Sequence, residues 1–169
     1  MIIDAQTHLG FESYSRGQWT GRESLETADD YVESLRDAAV DRGFTFSTSA
    51  FRQHPRTSND DLARARDRYT KVIIPYGTVD PYWDERKLRN EMRRCVKELG
   101  FVGFKFTPWV QGLSMMVSGM DVVAEECIDM DVPVTFHDGS PLYCTALQVA
   151  YYAWCLRQGA GALRSRRAA

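Results

Sequence analysis

The chain has 169 residues, of which 44% are hydrophobic and 26% charged, with a net charge of −2. That length holds one ordinary domain with room for a hydrophobic core, and the composition is globular rather than disordered. The charge argues against nucleic acid as a partner, and no apolar stretch approaches the length of a membrane span. The first residues lack the basic start and cleavage site of a signal peptide, so a cytoplasmic location is expected.

Strand-like and helix-like segments alternate along the chain. "MIIDA" is apolar and β-prone, and it runs straight into the polar "QTHLG". "DDYVESLRDAAVDRG" places Tyr31, Val32, Leu35, Ala38 and Ala39 at helical spacing, with Gly43 expected as its C-cap. "FTFSTSAF" alternates aromatic and small polar residues as a strand does, and "SNDDLARARDRY" opens on capping residues and continues as a polar, solvent-facing helix. "KVIIPYGTVDP" reads as a buried strand ending in a turn. In "DERKLRNEMRRCVKELG" the residues Leu88, Met92, Cys95, Val96 and Leu99 make one apolar stripe. "FVGFKF" is a strand stopped by Thr107 and Pro108, "GMDVVAEECIDMD" a helix, "VPVTFH" a strand and "PLYCTALQVAYYAWCL" an apolar helix.

This alternation predicts an α/β fold of about five βα units around a parallel sheet, and the apolar strands predict a sheet covered on both faces. A closed eight-stranded barrel takes ~250 residues. The count by itself suits a doubly wound sheet better, yet no Gly-rich phosphate loop follows the first strand. The four cysteines, Cys95, Cys127, Cys144 and Cys155, lack CxxC spacing and read as buried free thiols. After Asp138 no acidic residue follows, while Arg157, Arg164, Arg166 and Arg167 crowd the end. Residues 152–169 are therefore expected to be an aberrant or flexible basic tail on a domain of residues 1–151.

In parallel α/β folds the reactive groups gather where strands end and βα loops begin. That rule selects Gln6 and His8 after the first strand, His54 after the second, Lys105 and Thr107 on one face of the fourth, and His137 at the end of the fifth. All three histidines of the chain fall at such places. His54 has an alternative as a solvent-exposed loop residue. The Lys105 stem could equally run along the sheet and expose its amine, and Trp19 and Trp109 either wall a pocket or simply pack. For His137 a site role is favoured, because a buried imidazole needs a partner.

Four stretches, "MIIDAQTHLG", "VIIPYGTVDP", "LGFVGFKFTPWVQG" and "DVPVTFHDG", resemble in order and spacing the amidohydrolase superfamily, in its amidohydrolase-related branch of decarboxylases, hydratases and lactonases. The resemblance runs from Met1 to about Val149. It implies a (β/α)8 TIM barrel with a divalent metal, usually zinc, so the fold expected here is an incomplete barrel of about five units. It implies His8 as the second histidine of a first-strand His-x-His pair and His137 as the fifth-strand ligand. Gln6 stands where the first histidine would be, and a carboxamide oxygen is a weaker zinc ligand than imidazole. The family's sixth-strand histidine and eighth-strand aspartate have no counterpart in this sequence.

The expected function is a metal-dependent hydrolase or carbon–carbon lyase acting on a small carboxylate, lactone or ester. His137 and Lys105 would be its catalytic residues, and Gln6, His54 and Trp109 would meet the substrate. His8 and His137 would hold the metal, weakly. The alternative is a truncated chain that catalyses nothing. An incomplete sheet leaves an open edge, which invites self-association.

Overall fold

The computed structural model describes residues 1–10, 27–47, 54–138 and 146–154. Three parallel strands come first: β1 (Ile3–Leu9), β2 (Arg42–Ser47) and β3 (Ile73–Tyr76), hydrogen-bonded in that order. β4 (Phe104–Phe106) and β5 (Val134–Phe136) form a second parallel pair. A single bridge, Gly77 to Phe104, joins the two sheets in parallel. Backbone hydrogen bonds reinforce that seam: the Gly77 amide donates to the Gly103 carbonyl at 2.9 Å, the Lys105 amide to Gly77 at 2.8 Å, and the Val102 amide to Pro75 at 3.1 Å. Gly103 is glycine for a steric reason, since a Cβ there would lie 2.4 Å from the Tyr76 ring. Among the described strands spatial order follows chain order, without the reversal that a doubly wound sheet requires.

Helices α1 (Ala28–Asp37), α2 (Pro55–Arg68), α3 (Glu85–Lys97), α4 (Pro108–Gln111) and α5 (Ser118–Met130) fill the connections, and residues 146–154 are helical again. Thr27 caps α1 in a reciprocal capping box with Asp30, and Asp84 caps α3 by accepting from the Lys87 amide. The apolar stripe of α3 behaves as its spacing predicts. Leu88, Met92 and Cys95 are buried, and Val96 and Leu99 pack against the same core with Phe104, Phe106 and Met120. Burying each large apolar side chain of this kind is worth about 1.5–3 kcal/mol. Cys95 and Cys127 are buried free thiols, while Cys144 and Cys155 lie outside the described residues.

Several expectations need correction. Gly43 does not cap α1; the helix stops at Asp37 with Ala38 as its C-cap, and Ala39 takes the left-handed conformation. Gly43 instead belongs to β2, where a Cβ would meet the Tyr31 hydroxyl at 2.6 Å. α2 starts three residues before the expected Ser58, because Pro55 at its first position is already fixed near helical φ. Ser58 and Asn59 are therefore buried inside that helix rather than capping it, alongside Leu62, Ala63 and Ala65. The helix expected to face solvent buries a full side. Most of the expected tail, residues 155–169, lies outside the described residues. Tyr152, just past the expected boundary, is buried and donates to the Asp121 carboxylate at 3.3 Å.

Candidate functional site at the strand ends

Alternation along β1 decides which side chains face which layer. The Thr7 hydroxyl shares a 2.6 Å hydrogen bond with the Tyr31 hydroxyl of α1 and donates to the Phe44 carbonyl. Thr7 thus faces the helices, and its neighbour His8 faces the opposite side. There His8 lies 5.6 Å from the Phe46 ring of β2, and Phe46 meets Tyr76 of β3 edge-on at 5.2 Å. The Lys105 ammonium of β4 stands 4.9 Å above the same Phe46 ring. Lys105 pairs in register with Thr135 of β5, two residues before His137. The His137 amide donates to the Phe106 carbonyl at 2.8 Å, which ties the end of β5 to the end of β4.

The structure therefore brings together three of the residues selected from sequence: His8, Lys105 and His137. Their coupling is visible in the His8 imidazole, whose pKa burial lowers to about 4, with Lys105 and His137 both repelling a further proton. A neutral imidazole keeps a nitrogen lone pair for a metal or a proton. Burial likewise pulls the Lys105 amine below the usual lysine range. Lys105 is only 3% exposed, and its Nζ has no hydrogen-bond partner among the described residues. The buried hydroxyls of Thr107, two residues on, and of Thr78, just past β3, share that condition.

Thr78 is held from behind. Asn59 of α2 donates to the Thr78 carbonyl at 2.9 Å and accepts from its amide at 3.1 Å, and donates as well to Glu91 of α3 at 3.0 Å. Arg94 grips the same Glu91 carboxylate through two nitrogens, and Arg56 reaches it at 3.3 Å. The turn after β3 is thereby fixed by a buried polar cluster in the helical layer. Sequence reasoning missed Thr78 and the aromatic floor of Phe46 and Tyr76. The strand-end rule would have found Thr78, and the alternation in "FTFS" pointed to Phe46.

The remaining sequence-selected residues are placed less centrally. Gln6 is exposed, and the β1–β2 register shifts between Asp4 and Thr7, so the two-residue spacing does not by itself put Gln6 on the face of His8. His54 is exposed as the residue preceding α2. Trp109 belongs to α4, but its side chain, like all of Trp19, lies outside the described residues.

A divalent metal would find two imidazoles here, His8 and His137, from separate strands. Among the described residues no three His, Cys, Asp or Glu side chains come together. The donors present fit as part of a ligand set: the lowered pKa of His8 leaves it neutral, the form a metal needs.

Comparison with known proteins gives these residues a context. The amidohydrolase family model matches residues 3–158. No curated protein gives a significant match. Among solved structures, 5-carboxyvanillate decarboxylase from Novosphingobium aromaticivorans, with bound manganese, superimposes at a TM-score of 0.68 and 21% identity over 83% of this chain and 51% of its own. A dihydroxybenzoic acid decarboxylase from Polaromonas, holding manganese and the inhibitor 2-nitroresorcinol, gives 0.66 and 20% over 90% of this chain and 54% of its own. A probable 2-pyrone-4,6-dicarboxylic acid hydrolase from Acinetobacter baumannii gives 0.55 and 17% over 84% and 51%. The chain spans about half the length of these structures.

Proposed function

The chain belongs to the amidohydrolase family, and from that premise we propose that it carries the front part of a metal-dependent hydrolase or carbon–carbon lyase site, on an incomplete (β/α)8 barrel. The observation that carries the reading is the convergence of His8, Lys105 and His137 at the C-terminal ends of β1, β4 and β5, with His8 held neutral. Substrates of the class handled by the structural neighbours, small aromatic or lactone carboxylates, suit an ammonium set over an aromatic floor.

In this reading His8 and His137 hold a divalent ion, with Gln6 as an auxiliary ligand or substrate contact. The neighbours make manganese as natural a choice as zinc. When bound, such an ion lowers the pKa of water or polarises a carboxylate. The protein's own residues do the rest. Lys105 and His54 meet the substrate's carboxylate, Trp109 is a further substrate-binding residue, and His137 and Lys105 are the groups through which protons are held or passed. The buried aromatic rings of Phe46 and Tyr76 give that face of the sheet an apolar floor. We place the chain in the cytoplasm; among the described residues no helix is long and apolar enough to cross a membrane. In this reading residues 1–151 make up the barrel portion and 152–169 the basic tail, whose first residue, Tyr152, still packs against the core, and an open strand edge favours self-association.

A second reading has a specific observation behind it. Two imidazoles without a third ligand among the described residues suit a chain that binds a ligand but turns nothing over. Titration of metal-free protein with manganese and zinc, joined to a screen of aromatic acids, lactones and esters, separates the two. Weak metal binding that Gln6→His tightens at least about tenfold, ~1.4 kcal/mol, and that His8→Ala abolishes, supports the site. Equal affinities in all three proteins would remove His8 from it, and tight binding without turnover favours the second reading.

A further inference from the structure

Lys105, Thr107 and Thr78 share one feature that the metal reading does not use. Each buries a hydrogen-bonding group with no partner among the described residues: the Lys105 ammonium and the two threonine hydroxyls. Buried polar groups in folded proteins are nearly always paired, and an unpaired buried charge is costly. The same molecule shows that it can satisfy such groups, since Glu91, equally buried, has Arg94, Asn59 and Arg56 around it.

Topology sets the three groups beside one another. Lys105 and Thr107 are two residues apart on β4 and its end, so they share a face. The Gly77–Phe104 bridge brings the next residues, Thr78 and Lys105, abreast across the seam between β3 and β4. The face they share is marked by Tyr76, two residues before Thr78, whose ring lies among Phe44 and Phe46 on the side where Lys105 stands over Phe46. Neither threonine is free to swing away with its backbone. The Thr78 amide and carbonyl are clamped by Asn59, and the Thr107 amide donates to the Gln111 side chain at 2.7 Å. One positive charge and two hydroxyl donors, fixed beside an aromatic floor, match a planar carboxylate carried on an apolar or aromatic body.

We propose that Lys105, Thr107 and Thr78 form a carboxylate seat that takes its ligand without a metal, the ammonium pairing with the carboxylate while the two hydroxyls donate to its oxygens. The proposal rests on the reading of the strand ends as the site, but not on the ion at His8 and His137. Substrate would be held by one carboxylate at this seat, which leaves any second carboxylate, ring hydroxyl or lactone carbonyl to point toward the imidazoles.

The test is calorimetric titration of the full chain with benzoate in the presence of EDTA, with benzamide as the neutral control of the same shape. Native protein should bind benzoate at least tenfold more tightly than benzamide. Lys105→Met keeps most of the buried stem and removes the charge, and should lose at least tenfold in benzoate affinity while leaving benzamide unchanged. Thr107→Val and Thr78→Val should each lose several-fold, with circular dichroism showing all three variants folded. Benzoate binding that is absent, equal to benzamide, or unchanged in Lys105→Met overturns the seat. Because EDTA is present throughout, loss of metal binding in the Gln6 and His8 series leaves this result untouched, so the two ideas fail separately.

Discussion

Two regions of the molecule bury charge, and they treat it in opposite ways. In the helical layer, Glu91 and Glu126 are almost fully enclosed and heavily partnered. Glu126 of α5 accepts from Arg89 and from two nitrogens of Arg93 on α3, and Glu91 joins α2 to α3 through Asn59, Arg56 and Arg94. At the strand ends Lys105 is buried to nearly the same degree, yet among the described residues its ammonium has no hydrogen-bond partner and stands over the face of Phe46. Burial alone therefore does not say what a charge is for. A charge surrounded by partners locks elements together; a charge left without hydrogen bonds holds interaction energy in reserve for something that arrives later.

The comparison breaks most easily at Glu91. Glu91→Ala removes the buried carboxylate shared by Asn59, Arg56 and Arg94, and should cost about 3–5 kcal/mol in urea unfolding. A loss below about 1 kcal/mol would mean that the cluster is decoration and that the contrast is false.

Acid titration sharpens it next, because the two regions respond in different windows. The folded pKa of His8, near 4, lies below its ordinary 6.5, so the unfolded chain binds the extra proton first. Stability should then fall as pH drops from about 6.5 toward 4, by about 2 kcal/mol after allowance for partial solvent screening, with EDTA present. His8→Asn should flatten that slope. Burial pushes the Glu126 carboxyl up, but Arg93 and Arg89 more than offset it and hold the group below its usual range. Its contribution is present above pH 4.5 and is lost only as pH falls below that. A chain whose stability stays flat from pH 6.5 to 4.5 would contradict the His8 assignment.

The smallest effects should carry the opposite sign. Lys105→Met removes an unpaired buried ammonium and should stabilise the ligand-free chain by ~1 kcal/mol. Thr107→Val, which removes one unsatisfied hydroxyl, should change stability by less than about 1 kcal/mol, toward stabilisation. Thermal melts of both variants check this. Destabilisation beyond 2 kcal/mol in Lys105→Met would show that the lysine is structural after all.

The order of strands and helices was legible because each element carries its own period and its own stop. Pro108 ends β4, Asp84 opens α3, and Leu88, Met92 and Cys95 recur on one helical face. The start of α2 was less so, since "SNDD" looks like a cap until Pro55 is given its due as a first helical residue. Glu91 and Glu126 could not be singled out at all. A glutamate among arginines at helical spacing looks solvated, and only the packing of α3 against α5 and α2 turns those two inward. In the site, His8, Lys105 and His137 followed from the rule that strand ends carry chemistry. Thr78 was within reach of the same rule; what no local pattern records is its clamping by Asn59, nineteen residues earlier.

The seam between β3 and β4 has a consequence for how the protein breathes. Each parallel pair closes over a single βα connection, but the first three strands and the last two are joined by one bridge and the amides of Gly77, Val102 and Lys105. Hydrogen exchange at those amides therefore measures whether the two sheets open together or apart. Thr78 and Lys105 sit on opposite sides of that line, so a carboxylate held between them would act as a stitch. It would slow exchange at the seam before it altered any other part of the sheet.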